Sequence, residues 1–121
     1  MPYSFSLDPI ANIASFTYDS TTSYHDRKAV LNDILDVFEE FPQCHVLIDT
    51  REAHQTLTIE QQEEFGHLLG QHAHHFARRK TAIVIRRMNN PHPLIQPIAF
   101  SEGFPNIVEF DDMTSAIEWL K

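Results

Sequence analysis

Two short clusters of charged and polar residues are the parts of this sequence best suited to bind a ligand. Asp49, Thr50 and Arg51 follow one short apolar run, and Arg86 and Arg87 follow another. If both runs are parallel strands, the two clusters lie at the carboxyl edge of one sheet, where open α/β sheets bind their ligands. Guanidinium groups and helix amino-terminal amides bind carboxylates and phosphates there. These five residues are therefore our candidate ligand-binding site.

A purely structural role is the simpler explanation for the same residues. Asp49 and Arg51 have the spacing of a local ion pair or of hydrogen bonds that fix a loop, while Arg86 and Arg87 suit a solvated surface. The sequence leaves both interpretations open. The segment after the first cluster is polar and supplies our candidate interaction surface, which consists of His54, Thr56 and Thr58.

Catalytic and metal-binding residues are not predicted. Cys44 and His45 are neighbours on a predicted strand, so their side chains point to opposite faces and cannot act as nucleophile and base. Eight histidines invite a metal site, but on the predicted long helix only His72 and His75 could share an ion, and no carboxylate completes the set. Three glycines are too few for a phosphate-binding loop. We therefore predict no metal and no cofactor.

Composition limits the class of protein. The chain has 121 residues, of which 42% are hydrophobic and 21% charged, so we assign residues 1–121 to a single ordinary globular domain. A formal net charge of −8 opposes binding to nucleic acid. No apolar stretch is long enough to span a membrane, the amino terminus has no secretory signal, and one cysteine cannot form an internal disulfide. We therefore expect a cytoplasmic protein.

Hydrophobic periodicity predicts the elements that position these residues. A strand pair over about 3–18 precedes an amphipathic helix that Pro42 ends, and a capping box at Thr58 begins a long helix that continues to about Phe76. The remaining predicted elements are strands at His45–Asp49, 81–85 and Ile107–Phe110 and two helices, one from near Pro93 and one over 111–120. This order predicts an α/β fold with a mixed, mostly parallel sheet of about five strands and helices packed on it.

Two glycines on the long helix indicate a close helix contact. Gly66 and Gly70 are four residues apart, so they lie on one side of the helix and let a neighbouring helix approach closely. We expect that neighbour to belong to the same domain, and a contact in a homodimer is the alternative.

Several pieces of the chain resemble one protein family. The runs LIDTR (47–51), KTAIVI (80–85), and VEFDD (108–112) leading into AIEWL (116–120) are similar to SpoIIAA-like proteins of the STAS/Sec14-like group, in matching order across nearly the whole chain. The resemblance implies a small bacterial α/β domain related to anti-sigma-factor antagonists and lipid-binding folds. The loop at 49–58 lacks the Asp-Ser-Ser-Gly-like motif of the phosphorylated antagonists, which speaks against a phosphorylation switch.

Three functions are compatible with the sequence. The favoured one is a non-enzymatic SpoIIAA-like regulatory or binding module that binds a protein or a small anionic or apolar ligand at the carboxyl edge of the sheet. The second is a carrier of a lipid or other apolar ligand, to which nine phenylalanines lend weight. The third and weakest is a small hydrolase or transferase built on Asp49, Arg51 and His54.

Overall fold

The fold is a mixed five-stranded β-sheet with helices on both faces. The computed structural model describes residues 2–54, 56–86, 95–104 and 107–121. Within these ranges the strands are β1 (Tyr3–Asp8), β2 (Ile13–Tyr18), β3 (His45–Asp49), β4 (Thr81–Val84) and β5 (Ile107–Phe110). The helices there are α1 (Tyr24–Glu40), α2 (Ile59–Gln71), α3 (Ile95–Ser101) and α4 (Met113–Leu120), and one turn of 3₁₀ helix covers Ala73–Phe76. The predicted α/β class and mostly parallel sheet are confirmed.

The strand order places three helices on one face of the sheet. The strands lie in the order β1-β2-β3-β4-β5; β1 and β2 form an antiparallel hairpin, and the later pairs are parallel. Right-handed crossovers that step the same way across a sheet all pass over the same face. Accordingly, α1, α2 and α3 cover one face, while α4, which follows the last strand, covers the other.

Side-chain alternation along the strands divides the core into two layers. Phe16 and Val46 belong to the layer beneath α1, whereas Leu47 and Val84 pack with Leu120 of α4. The neighbours Val46 and Leu47, which are 0% and 4% exposed, therefore serve opposite layers. Burial on both faces explains why the central strands are continuous apolar runs in the sequence.

Capping residues determine where the two long helices begin. The Ser23 hydroxyl caps α1 and the Thr58 hydroxyl caps α2, accepting hydrogen bonds from backbone N–H groups three residues on at 3.2 and 3.1 Å. The capping box predicted at Thr58 is confirmed. The predicted continuation of that helix to about Phe76 is wrong. His72 has φ −105° and ψ 11°, so α2 ends at Gln71 and the chain tightens into the 3₁₀ turn.

The two later helices are short. The structure describes α3 from Ile95, and Pro93, near which we expect its start, lies outside the described residues. The Asp112 carboxylate caps α4 by accepting a hydrogen bond from the Ser115 N–H at 2.7 Å, and α4 lies within the helix predicted over 111–120. No helix within the described ranges combines the length and the apolar character needed to cross a membrane.

The two glycines of α2 contact α3 and the residue that follows it in the same chain. A Cβ atom at Gly66 would lie 2.8 Å from Ile98 Cβ and 3.1 Å from the Ile95 carbonyl oxygen, and one at Gly70 would overlap the Glu102 side chain. The expected close helix contact within the domain is therefore confirmed. Only a residue without a side chain lets α2 and α3 approach this closely.

We predict that Gly66→Ala lowers the free energy of unfolding by about 1–3 kcal/mol, because the added methyl group forces α2 away from α3. Alanine is the better helix former, so helix propensity alone would raise stability by up to about 1 kcal/mol. Urea unfolding followed by circular dichroism measures which effect dominates. The double variant Gly66→Ala/Ile98→Ala should be less unstable than the sum of its two single changes. A stabilised Gly66→Ala protein would contradict the contact.

Val84→Asp should prevent folding, because Val84 is 0% exposed and the new carboxylate would be buried without a partner. Val108→Asp is the matched control, since Val108 faces the same side of the sheet from β5 but is 36% exposed. We expect that control to lose only about 1 kcal/mol. Thermal unfolding compares the two variants. If Val84→Asp melts cooperatively near the wild-type temperature, Val84 does not occupy a buried central strand.

Candidate functional site

Asp49 and Arg51, from the first predicted cluster, form a bidentate ion pair at the carboxyl edge of the sheet. Arg51 donates from Nε to Asp49 Oδ1 at 3.0 Å and from Nη2 to Asp49 Oδ2 at 2.9 Å, and its backbone N–H donates to Oδ1 at 3.1 Å. The Asp49 residue is 7% exposed, whereas 40% of the Arg51 side chain is exposed. The ion pair and the loop-fixing hydrogen bonds considered from the sequence are therefore both present, and the guanidinium remains accessible.

Arg86 joins this cluster from the neighbouring strand. Its Nε donates to the Arg51 carbonyl oxygen at 2.5 Å, and its Nη2 lies 3.0 Å from His54 Nδ1. Arg86 is exposed, but these contacts fix its guanidinium instead of leaving it simply solvated. The structure thus brings Arg51, His54 and Arg86 together with Asp49, so four predicted residues meet at one edge. We call these four residues the edge cluster.

The other predicted site residues differ in their surroundings. The backbone N–H and the hydroxyl of Thr50 both donate to the Val84 carbonyl oxygen at 2.9 Å, which ties Thr50 to β4. Thr58 is the cap of α2, and Thr56 is exposed. Arg87 lies outside the described residues. The interaction surface that includes Thr56 and Thr58 stays a prediction.

Two opposing effects determine the charge state of Asp49. Burial alone would raise the pKa of its carboxyl group, but the hydrogen bonds and the positive charge of Arg51 outweigh burial and hold that pKa below its usual value. A carboxyl group whose pKa is lower in the folded state stabilises the fold above its unfolded pKa of about 3.9. That stabilisation is lost as the pH falls through the lower folded pKa.

An apolar cavity lies between the sheet and the helices α1, α2 and α3. Its volume is about 110 Å³. Isoleucines from the sheet and its carboxyl edge and phenylalanines from the helical layer line it, among them Ile48, Ile83, Ile85, Phe65, Phe76 and Phe104. No pattern in the sequence indicates this cavity. Periodicity shows which residues face inward, but not where their side chains leave space unfilled.

The cavity extends to the edge cluster. Thr50 and Ala53 line it on either side of Arg51 in the chain, and Ile85, which precedes Arg86, also lines it. The ligand-binding edge expected from the sequence is therefore continuous with a space that can hold an apolar group.

Several polar groups are buried in the cavity wall. Tyr18, Arg27 and Thr81 line the cavity and are 4%, 6% and 3% exposed, and Glu109 of β5 lines it as well. The Arg27 guanidinium lies over the Tyr18 ring, with 5.2 Å between Cζ and the ring centroid. Thr81 Oγ1 has no hydrogen-bond partner among the residues that the structure describes. An apolar cavity with a few inward-facing polar groups is the usual form of a small-molecule site.

Burial changes the acid–base behaviour of these groups. It raises the pKa of Tyr18 to about 12, even though the charge of Arg27 acts in the other direction. Burial also raises the pKa of Glu109 and lowers that of Arg27. At neutral pH Tyr18 is therefore a neutral hydroxyl, whereas Arg27 remains a cation because a guanidinium titrates far above pH 7.

Arg27 is the site residue that sequence analysis missed. It lies four residues before Leu31 and seven before Ile34, so it belongs to the buried apolar face of α1. An arginine at an apolar position of an amphipathic helix was the signal that could have identified it.

Cys44 and two histidines outside the edge cluster, His45 and His67, have other surroundings. Burial raises the pKa of the Cys44 thiol, and His45 Nδ1 accepts a hydrogen bond from the Lys80 N–H at 2.9 Å. The His67 ring pairs with the Glu102 carboxylate. Among the described residues, no group of three or more His, Cys, Asp or Glu side chains is placed to hold a metal ion.

Comparison with known proteins gives no relative from which a function could be transferred. A scan against protein-family models, a search of curated proteins and a search of solved structures each found no match. What the chain binds must therefore be inferred from its own side chains and from the cavity between them.

Arg51→Ala should lower the free energy of unfolding at pH 7 by about 1–3 kcal/mol, because it leaves the buried Asp49 carboxylate without its charge-assisted hydrogen bonds. This loss should shrink towards about pH 3, where Asp49 becomes protonated and no longer needs a cation. Urea unfolding at both pH values measures the effect. In the control Asp49→Asn/Arg51→Ala the buried charge is also gone, so the loss at pH 7 should be smaller. An equal loss for Arg51→Ala at both pH values would contradict the role of the Asp49 charge.

Proposed function

We propose that the protein is a non-enzymatic binding module that holds a small, mainly apolar ligand in the cavity between the sheet and the helices α1, α2 and α3. The observation that carries this proposal is the cavity itself, which has a volume of about 110 Å³ and is lined by isoleucine and phenylalanine side chains with a few polar groups among them. Small-molecule sites are typically concave and mostly apolar, with a small number of polar groups that orient the ligand. The resemblance to SpoIIAA-like proteins supports a binding role over a catalytic one.

Energetics also favour an occupant. Protein interiors are normally packed as densely as organic crystals, and a cavity loses the dispersion contacts of the atoms that surround it. At about 24 cal/mol for each Å³ of closed, empty cavity, a volume of about 110 Å³ sets an upper bound of roughly 2–3 kcal/mol on this loss. A ligand that fills it recovers part of that energy and so stabilises the folded state.

The edge cluster is the proposed binding surface for a protein partner whose binding depends on whether the cavity is occupied. Thr50 and Ala53 line the cavity, while Arg51, between them in the chain, keeps its guanidinium accessible at the surface. In this proposal a regulatory protein partner binds at the edge cluster and the adjoining segment with Thr56 and Thr58. A change in the cavity would then alter the backbone that carries the partner's contacts.

The charge and cysteine content fit this assignment. A net charge of −8 disfavours nucleic acid as the partner. The one cysteine, Cys44, is 2% exposed and has no second cysteine with which to form an internal disulfide. A reducing compartment such as the bacterial cytoplasm is therefore the proposed location.

Benzyl alcohol, an apolar ring with one hydroxyl group, is a suitable probe of the cavity. We predict that it raises the melting temperature of the wild-type protein by a few degrees. At ten times its dissociation constant a ligand stabilises the folded state by about 1.4 kcal/mol, which corresponds to a shift of that size in a small domain. Differential scanning fluorimetry measures the shift.

A matched pair of variants locates the binding. Ala53→Leu enlarges a side chain that lines the cavity and should remove most of the shift. Ala77→Leu is the same enlargement at an exposed position and should retain it. An equal shift in the wild type and in Ala53→Leu would place binding outside the cavity. If benzyl alcohol does not shift the wild type at all, the proposed apolar-ligand site is wrong.

A further inference from the structure

The Thr81 hydroxyl is a buried polar group in the cavity wall. Thr81 is 3% exposed, and its Oγ1 has no hydrogen-bond partner within the described ranges. Its neighbours across the sheet are Val46 on β3 and Ile107 on β5, whose side chains cannot accept a hydrogen bond. Buried hydroxyls are normally paired, because an unpaired one loses the hydrogen bonds that it makes to water. A ligand in the cavity could supply the missing partner.

Another buried threonine shows how this fold pairs such a hydroxyl. Thr22 is 0% exposed, and its hydroxyl donates to the Pro2 carbonyl oxygen and accepts from the Asp19 N–H at 3.1 Å. Thr81 lies instead at the start of β4, where the backbone groups nearby are paired with β3 and β5. The backbone that satisfies Thr22 is therefore not open to Thr81.

Thr81 differs from the charged residues of the cavity wall. Arg27 and Glu109 line the cavity, and both interact with other groups of the protein. A single hydroxyl cannot offset the desolvation of a full charge, but it can pair with one neutral polar atom. A hydroxyl carries one hydrogen to donate, so the partner that Thr81 needs first is an acceptor. Thr81 therefore favours a ligand with a neutral oxygen atom.

The position of Thr81 determines how such a ligand is oriented. Ile83 and Ile85 follow Thr81 at every second position and line the cavity with it. At about 3.3 Å for each residue, Thr81 lies roughly 13 Å from Ile85. Ile85 and Ala53, at the carboxyl edge, are partly exposed, whereas Thr81 is buried. A ligand paired with Thr81 therefore has its polar atom at the buried end of the cavity and its apolar body towards the carboxyl edge.

The cavity limits the apolar part of the ligand to about one ring. A dry apolar cavity of roughly 150 Å³ holds one benzene molecule, and the volume here is about 110 Å³. A lipid with two acyl chains is far larger than this space.

We propose that the ligand is a small neutral molecule with an apolar body about the size of one ring and one oxygen atom, to which the Thr81 hydroxyl donates a hydrogen bond. This inference rests on the proposed function, because it assigns a chemical class to the ligand of the same cavity. The apolar body lies against the isoleucines Ile48 and Ile83. Single-ring alcohols, ethers and ketones belong to this class.

Three probes of nearly equal shape separate the hydrogen bond from the fit. Anisole accepts a hydrogen bond, benzyl alcohol accepts and donates one, and ethylbenzene does neither. Titrations of the isoleucine-labelled full chain, followed by NMR, give the dissociation constant of each probe. Thr81→Val keeps the shape of the side chain but removes the hydroxyl. We expect this variant to bind anisole and benzyl alcohol about three- to tenfold more weakly than the wild type does, and ethylbenzene at least as tightly.

The unliganded protein gives a second readout. Thr81→Val removes an unpaired buried hydroxyl, so it should raise the melting temperature by a few degrees. Thr22→Val is the matched control, because the Thr22 hydroxyl is paired and Thr22 is not among the cavity-lining residues. That control should lower the melting temperature and leave the relative affinities of the three probes unchanged. Thr81→Ser keeps the hydroxyl and should retain the wild-type ratio of anisole to ethylbenzene affinity.

The possible results distinguish the inference from the proposed function. If Thr81→Val does not weaken anisole more than ethylbenzene, the assigned hydrogen bond is wrong and the apolar-ligand site remains. If Thr81→Val melts no higher than the wild type, or fails to fold, the hydroxyl is already paired in the unliganded protein, which overturns the inference as well. If none of the three probes binds the wild type, the inference and the proposed function fail together.

Discussion

The direction of three successive strand crossovers determines most of this structure. From β2 to β5 the chain advances one strand at a time in the same direction, and right-handed connections then place α1, α2 and α3 on one face. Three helices must therefore share the surface of four parallel strands. Gly66 lets α2 lie directly against α3. The cavity, which residues from all three helices line, is the space that this arrangement leaves over the sheet.

Most of the fold could be predicted because it depends on local patterns. The central strands are short apolar runs, and the capping box of α2 involves only residues 58–61, which are consecutive in the chain. The end of α2 was misplaced for a physical reason. Phe65, Leu69, His72 and Phe76 keep helical spacing, and the change in backbone at His72 from α to 3₁₀ geometry leaves that spacing almost unaltered.

The two parts of the candidate site differ in how far the sequence reveals them. The Asp49–Arg51 ion pair requires only two residues that are close in the chain. The contact of Arg86 with Arg51 follows from the parallel pairing of β3 and β4. The cavity and the burial of Arg27 depend on how three helices pack, and no local pattern specifies the volume between them. The edge was therefore predictable, and the space behind it was not.

Occupancy of the cavity is tested most directly by its isoleucine methyl groups. Ile48 and Ile83 line the cavity, whereas Ile10 and Ile59 do not and are 94% and 60% exposed. In ¹H–¹³C spectra of isoleucine-δ1-labelled protein titrated with benzyl alcohol, we predict saturable shifts at Ile48 and Ile83 and none at Ile10 and Ile59. Shifts confined to Ile10 and Ile59, or the lack of a saturable shift at Ile48 and Ile83, would contradict a binding module built around this cavity.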